Sequence, residues 1–269
     1  MSLLANAASV LKSPHIAVSY VRYQWKARKQ FDGFALGNFS NFSEYLNSNF
    51  LSAAETRFLT TQSFPEGDII DVGAHIGFIS ILMAKRYPNR TIHAFEASPS
   101  TCRSLNGNLE LNEIKNVQTH NLAITDHEGK VTFNANPGHR ATNSIALESD
   151  LYKISIPCTT IDNFIEKNNL SQIALLKIDV EGHEDSVLKG AEKTLEKTQM
   201  VFYEVCPSNT QKAGTDIEIP FRILTEHGFT MLRFSGEKLI PALRSDILGL
   251  GLDNWIAVKH GIAVQASAL

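Results

Sequence analysis

The sequence has few cysteines, no long apolar run and little net charge, and each of these features excludes a class of protein. Its three cysteines lie far apart without a C-x-x-C pair, which argues against a disulfide framework or a zinc module and indicates a reducing compartment. No apolar run approaches the roughly 18 residues that a membrane-spanning helix needs. A net charge of −3 over 269 residues lacks the basic field of a nucleic-acid binder, so no nucleic-acid partner is expected.

Basic residues are concentrated at the start of the chain. Residues 1–31 contain five lysines and arginines and no acidic residue, with aromatic residues interleaved among them. Such a leader fits either a helix packed on the domain or a segment that lies on an anionic membrane surface. We predict a basic helical extension at residues 1–40, a main domain at 41–262 and a C-terminal tail at 263–269. The predicted location is cytoplasmic, with peripheral membrane contact through the leader as the alternative.

The main part of the chain alternates between short apolar strands and helical segments. This alternation predicts a parallel sheet with helices on both faces. Shorter β-like runs between Lys130 and Thr159 indicate a small β insertion near the sheet edge. The prediction is an α/β fold with about seven core strands and an antiparallel last pair. Strands are expected at residues 68–72, 91–95, 117–122, 173–178, 200–205, 230–234 and 254–258, and helices include 44–61, 100–112, 184–197 and 218–227.

The first chemistry-bearing segment is a glycine turn between the strand at 68–72 and the next helix. It contains Gly73 and Gly77 and follows Asp71. A strand, a tight glycine turn and a helix bind nucleotide-like cofactors, because glycine lets the backbone approach the ligand. The G-x-x-x-G spacing is not the dinucleotide fingerprint, and the Asp71 carboxylate suits a ligand that carries an ammonium group. This pattern favours S-adenosylmethionine, and an NAD-dependent oxidoreductase is the alternative.

The second segment places an acidic residue, Glu96, directly after the strand at 91–95. A carboxylate at this position can accept hydrogen bonds from both ribose hydroxyls of a cofactor that lies across the sheet. Glu96 could also be a helix N-terminal acid that the helix dipole stabilises. Its distance from the glycine turn favours the ribose role.

The third segment, which follows the strand at 173–178, is where we expect the reaction. The strand end and the following turn bring Asp179, Glu181 and His183 to the same edge of the sheet. Methyl transfer to a hydroxyl requires a group that takes its proton, and His183 and Asp179 are both candidates for this base. Alternatively, Asp179 and Glu181 only cap the next helix, or the three residues bind a divalent ion together with Glu204.

These segments resemble the FkbM family of S-adenosylmethionine-dependent methyltransferases. The resemblance runs from about Pro65 to Pro207, and its most specific element is the Lys-Ile-Asp-Val-Glu-Gly-His-Glu run at residues 177–184. His75 and Ala97 depart from the family, which more often has Asn and Pro at these positions. The resemblance implies a class I methyltransferase fold, which is Rossmann-like with seven strands. The cofactor-binding residues expected from the motifs are Asp71, Gly73, Ala74, His75, Gly77, Ser80, Glu96, Ala97 and Ala123.

The resemblance also implies a reaction, O-methylation of a hydroxyl on a sugar, a glycolipid or a secondary metabolite. A different class of protein with the same fold is a catalytically silent cofactor-binding or membrane-attached partner. Both would bind S-adenosylmethionine, but only the enzyme would convert it to S-adenosylhomocysteine.

Overall fold

A computed structural model describes residues 28–39, 44–45, 51–135, 144–145, 152–249 and 251–264. Most of the predicted leader and the end of the predicted tail therefore lie outside the described residues. Strands β1 (Lys29–Phe31) and β2 (Phe34–Leu36) form an antiparallel hairpin, where a helical extension was predicted. The helical prediction was wrong for residues 29–36, because it overlooked the Asp-Gly pair between the two strands. This pair is a strong signal for a hairpin turn.

The remaining elements follow the predicted alternation of strands and helices. They are, in chain order, α1 (Ala53–Thr61), β3 (Asp68–Val72), α2 (Phe78–Arg86), β4 (Ile92–Phe95), α3 (Pro99–Leu111), β5 (Val117–His120), β6 (Ala123–Ile124), β7 (Gly129–Asn134), β8 (Lys153–Thr159), α4 (Ile161–Lys167), β9 (Ile173–Ile178), α5 (Glu184–Lys189), α6 (Glu192–Lys197), β10 (Met200–Val205), α7 (Pro207–Ala213), α8 (Glu218–Glu226), β11 (Phe229–Ser235), β12 (Lys238–Pro241), a 3-10 helix (Arg244–Gly249) and β13 (Asp253–Lys259).

An eight-stranded sheet forms the centre of the domain, in the order β12-β11-β13-β10-β9-β3-β4-β5. Strands β3, β4, β5, β9 and β10 are parallel, whereas β13 is antiparallel to both of its neighbours, β10 and β11. The predicted α/β class and the predicted antiparallel last pair of strands are confirmed. The sheet has one strand more than the predicted seven, because β12 folds back onto β11 as an edge strand.

Helices cover both faces of this sheet. Ile69 and Ile70 are consecutive residues of β3 and pack into different apolar clusters, as the alternation of side chains in a strand requires. Residues of α1, α2 and α3 pack into the cluster of Ile69, and residues of α4, α5, α6 and α8 pack into that of Ile70. Within the described part of the chain, no helix is long and apolar enough to cross a membrane.

The predicted β insertion forms a separate three-stranded sheet in the order β6-β8-β7. It has its own small apolar cluster, which includes Val131, Phe133 and Ile156. Ile145 bridges to Phe133, and Ser144 is the other residue between 136 and 151 that the structure describes.

Two predicted helices differ in extent from the observed ones. Helix α1 begins at Ala53, because Ser52 and Glu55 form a reciprocal capping box at its start. Of the predicted upstream part, residues 44–45 and 51–52 are described; Glu44 and Tyr45 are helical, and Leu51 and Ser52 are not. The predicted helix 184–197 is divided into α5 and α6 at Gly190, where a Cβ atom would lie 2.3 Å from the carbonyl oxygen of Thr125.

Candidate active site

The carboxyl ends of the central parallel strands open into one cavity of about 240 Å³. Its walls come from the turns after β3, β4, β9 and β10, and from the small sheet. This is the sheet edge at which α/β proteins bind ligands. Predicted site residues that line the cavity are Gly73, His75, Glu96, Ala97, Ala123, Asp179, Glu181 and His183.

The glycine turn after β3 lies against the turn after β9. Gly73 has a φ of 75°, and a Cβ atom on it would lie 1.8 Å from the carbonyl oxygen of Asp179. No other residue fits this backbone position without moving one of the two turns. The cofactor turn and the proposed reaction turn are therefore in direct backbone contact.

Asp71 and Ser80 face each other inside the protein, and they line neither of the two cavities described here. Asp71 is fully buried, and its Oδ2 accepts a 2.5 Å hydrogen bond from Ser80 Oγ. Its Oδ1 lies 3.1 Å from Nζ of Lys177. The Asp71 carboxylate thus has a partner of opposite charge within the chain, in place of the cofactor ammonium group that the sequence analysis expected.

Lys177 connects this buried carboxylate to the cofactor turn. Its Nζ donates to the carbonyl oxygens of Val72, at 3.3 Å, and Gly73, at 2.7 Å. Burial by itself would lower the pKa of Lys177, but the carboxylates of Asp71 and Asp179 outweigh it and raise the pKa above its ordinary value. The positive charge of Lys177 therefore holds the carbonyl groups at the start of the turn.

Glu96 lies in the cavity wall beside the turn. Its carboxylate accepts hydrogen bonds from the backbone N–H groups of His75, at 2.9 Å, and Ser98, at 2.8 Å. Burial raises the pKa of Glu96, and the charge of His75 and these two N–H groups oppose that rise. Because a carboxylate has about four acceptor positions, two remain for hydroxyl donors.

A cluster of carboxyl groups occupies the part of the cavity formed by β9 and β10. Ligand atoms of Asp179, Glu181 and Glu204 all lie within 4.8 Å of one another. Asn209, on α7, donates its Nδ2 to Glu181 at 2.7 Å and to Glu204 at 3.2 Å. The divalent-ion site considered from the sequence would use these three carboxyl groups, whereas His183 lies outside that group.

The two glutamates of this cluster have raised pKa values. Burial, together with the charges of Asp179 and Glu184, raises the pKa of Glu181 to about 8. Burial, together with the charges of Asp179 and Glu181, raises the pKa of Glu204 to about 10. At neutral pH both groups are therefore mostly protonated and can donate hydrogen bonds.

His183 precedes α5 and faces the same cavity. Burial lowers its pKa, and this effect is partly opposed by Asp185 and by a hydrogen bond to the backbone of Ile145. Its Nε2 is buried and has no hydrogen-bond partner among the described residues. The ring is therefore neutral near pH 7 and has a nitrogen available as a proton acceptor.

A smaller cavity lies on the other side of the glycine turn. It shares Gly73, His75, Asp179 and Asn254 with the main cavity and is also lined by Ala74. Asn254 Nδ2 donates to Glu55 at 2.7 Å, so the capping box of α1 also fixes this side chain. Gly77 lines neither of these two cavities and instead caps the start of α2.

Lys177, Asn209 and Asn254 are also parts of the site, although they were not predicted from the sequence. Lys177 carried a usable signal, because it is the one charged residue in an otherwise apolar strand. Asn209 and Asn254 carried none, since their contacts depend on how α7 and β13 pack against distant residues.

Known proteins resemble this chain over most of the domain. A family model for the methyltransferase FkbM domain matches residues 71–231. Methyltransferase 1 of Beauveria bassiana is 30% identical over 167 residues, which cover 54% of this chain and 67% of that protein. The hexuronic acid methyltransferase AglP of Haloferax volcanii is 25% identical over 170 residues, covering 62% of this chain and 66% of that protein.

A third relative is the 31-O-demethyl-FK506 methyltransferase FkbM of Streptomyces tacrolimicus, which is 25% identical over 185 residues. That match covers 53% of this chain and 71% of the relative. The chain thus spans about two thirds of the length of the three relatives. Since the family model matches more than half of the chain, the predicted class is confirmed: the chain belongs to the FkbM family of S-adenosylmethionine-dependent methyltransferases.

Proposed function

We propose that this protein transfers a methyl group from S-adenosylmethionine to a hydroxyl of a sugar, a glycolipid or a secondary metabolite. The observation that carries the proposal is the composition of the main cavity. The end of the cavity formed by β3 and β4 has the glycine turn and Glu96, and the end formed by their neighbours in the sheet, β9 and β10, has His183 and the carboxyl cluster. A ligand that spans the cavity would therefore meet a cofactor-binding end and a proton-handling end.

The cofactor end suits an adenosine group. Glu96 has two acceptor positions left for the ribose hydroxyls. Gly73, which has no side chain, leaves room for the ligand beside Glu96. Phe95, Leu122 and Ile124 form an apolar wall for the base. When bound, the cofactor supplies the electrophilic methyl group. Asp71, Ser80 and Lys177 support the turn from beneath and have no direct contact role in this proposal.

His183 is the base in this proposal. The bond to the backbone of Ile145 uses the other ring nitrogen, because Nε2 has no partner among the described residues. The neutral ring then has its lone pair on Nε2, which can take the proton of an acceptor hydroxyl as the new bond forms. Asp179, whose side chain is 40% exposed, is left to orient the acceptor.

The protonated carboxyl groups of Glu181 and Glu204 would bind oxygen atoms of the acceptor. Asn209 already satisfies one oxygen of each, so the cluster is stable as a hydrogen-bonded group. We therefore assign the reaction no metal ion. A donor-rich and acceptor-rich wall of this kind suits a polyhydroxylated acceptor.

Two relatives support the substrate class. One is named for hexuronic acid and the other for 31-O-demethyl-FK506. Both names describe acceptors that carry oxygen functions, and a hydroxyl acceptor for this chain is consistent with them.

Calorimetric titration with S-adenosylmethionine and, separately, with NAD tests the first part of the proposal. Binding of S-adenosylmethionine alone is expected, and binding of NAD or of neither would overturn it. Glu96→Ala should abolish cofactor binding, whereas Asp179→Ala should retain it and slow turnover. A screen of sugar and lipid hydroxyl acceptors, read out as S-adenosylhomocysteine formed, then separates an enzyme from a silent binding protein.

A further inference from the structure

The cofactor turn is held not only by the sheet but also by residues 28–39 and 44–45, which we call the N-terminal segment. Asn108, a fully buried residue of α3, accepts a hydrogen bond from the backbone N–H of Gly37 at 2.8 Å. The same side chain donates its Nδ2 to the carbonyl oxygen of Ile76 at 2.8 Å. One amide group therefore connects the N-terminal segment to the turn at residues 73–77.

A second connection runs from Glu44 to His75. Glu44 is 8% exposed, and its Oε1 lies 3.1 Å from Nε2 of His75. The backbone N–H of His75 is one of the two donors to the Glu96 carboxylate. Glu44 is thus two contacts away from the carboxylate proposed to bind the ribose.

The N-terminal segment is itself anchored on the domain. The backbone N–H and carbonyl of Ala35 both bond the side chain of Asn112, at 2.9 and 2.7 Å. Phe34 packs against Phe78, the first residue of α2, with ring centroids 5.4 Å apart. Lys29 Nζ donates to the carbonyl of Tyr45 at 3.4 Å, which ties the helical residues 44–45 to the hairpin.

The backbone of His75 needs such support. Its φ is 50°, a left-handed conformation that is unfavourable for a residue with a side chain. Strain of this kind persists only where surrounding contacts hold it in place. Glu44 holds the ring, and Glu96 holds the backbone N–H of the same residue.

We propose that the N-terminal segment is a component of the cofactor site, and that Glu44 is a positioning residue that acts through His75. The inference rests on the proposed function, because it concerns the affinity for the cofactor. Without Glu44, the His75 ring loses this contact, the turn relaxes, and the N–H bond that orients Glu96 weakens.

Titration of the full chain with S-adenosylhomocysteine tests this proposal. Glu44→Ala should weaken binding about tenfold, a size usual for coupling between two neighbouring sites, because it removes the 3.1 Å contact between Glu44 and the His75 ring. Glu44→Gln should stay within about threefold of the wild type, because the amide keeps the size of the carboxyl group and an oxygen atom beside the ring. Equal affinity of the wild type and Glu44→Ala would overturn the inference.

Asp162→Asn is a matched control. The Asp162 carboxylate also ties two elements together, since it accepts hydrogen bonds from the backbone of Lys193 and Thr194, away from the two cavities. This variant should lower the melting temperature without changing the affinity for S-adenosylhomocysteine. A parallel loss of affinity in the control would show that Glu44→Ala acts only through general stability, and would overturn the proposal.

A double-mutant cycle with His75→Asn isolates the route. In the His75→Asn background, Glu44→Ala should have a much smaller effect, because the contact between Glu44 and the ring is already gone. An undiminished effect would show that Glu44 does not act through His75. If Glu44→Ala does not fold, the imidazole ¹⁵N signals of the native chain are measured instead, with and without S-adenosylhomocysteine. A His75 Nε2 signal that S-adenosylhomocysteine leaves unchanged would overturn the proposal. Failure of the wild type to bind S-adenosylhomocysteine would instead refute the proposed function.

Discussion

Replacing Lys177 with methionine removes the positive charge beneath the cofactor turn while keeping an apolar side chain of similar length. The change leaves the carboxylate of Asp71 fully buried with only Ser80 as a partner. It also removes the donors to the carbonyl oxygens of Val72 and Gly73. Breaking one side of a buried ion pair costs about 3–5 kcal/mol.

For a chain of 269 residues, this loss corresponds to a melting temperature lower by about 5 to 9 °C, from the usual unfolding entropy per residue. The assay is thermal and urea unfolding at pH 7.5, followed by titration with S-adenosylhomocysteine. The affinity should fall as well, because the carbonyl groups of the turn are released. If Lys177→Met lowers the free energy of unfolding by less than about 1 kcal/mol, the reasoning is refuted. Such a small loss would mean that the variant does not leave the Asp71 carboxylate as an unpaired buried charge.

The double variant Asp71→Asn/Lys177→Met separates the charge effect from simple loss of contacts. The asparagine removes the stranded charge and can still accept from Ser80, so the double variant should be more stable than Lys177→Met alone. If instead the two losses add, the stranded carboxylate does not explain the cost. The stability of Lys177→Met should also rise as pH falls toward 5, because an isolated buried carboxyl group binds a proton more readily in the folded state.

Three further results are expected. His183→Asn should reduce kcat about 10²- to 10⁴-fold, as measured by single-turnover assays. The dissociation constant of the cofactor, measured by titration, should change little. An unaffected kcat would show that His183 is not the base. The pKa values of Glu181, Glu184 and Glu204 in the folded chain are raised to about 8, 7 and 10, so the folded chain binds more protons than the unfolded one. The free energy of unfolding should therefore fall from pH 6 to pH 9. Glu204→Gln should make this pH dependence less steep, and an unchanged pH dependence would contradict the raised pKa of Glu204. Dialysis against EDTA should leave turnover unchanged, and a loss that Mg²⁺ or Mn²⁺ restores would assign the carboxyl cluster to a metal ion.

The elements that the sequence predicted well are those whose signals are local. The strand Ile173–Ile178 and the strand Met200–Val205 are buried apolar runs with the same bounds in the prediction and in the structure. Buried strands of a parallel sheet need apolar side chains on both faces, so their composition alone identifies them. The glycine turn and Glu96 also followed from spacing along the chain.

The elements that the sequence did not predict depend on long-range contacts. Strand β12 is an edge strand whose side chains are half-buried or exposed, and it lacks the apolar signal of the central strands. Helix α7 consists largely of small and polar residues, and only one of them, Thr210, is buried. Its role became evident once Asn209 was found between Glu181 and Glu204.

The expected roles of Asp71 and Ser80 show a limit of motif reasoning. Their positions in the motif indicated contact with the cofactor, but the side chains point away from the cavity and bond each other and Lys177. Lys177 is about a hundred residues further along the chain, so no local pattern shows that it neutralises Asp71. A motif identifies which residues a site needs more reliably than it identifies what each of them touches.

The contact between Gly73 and the carbonyl of Asp179 links two properties that are usually varied separately. The first turn belongs to the proposed binding end, and the second begins the proposed reacting end. Since their backbones touch, a side chain at position 73 would push the two ends apart together. Affinity and turnover would then change in step, and an adaptation of the enzyme to a new acceptor would have to begin elsewhere. Phe133 and Leu252, which line the cavity outside the central parallel strands, are free of this constraint.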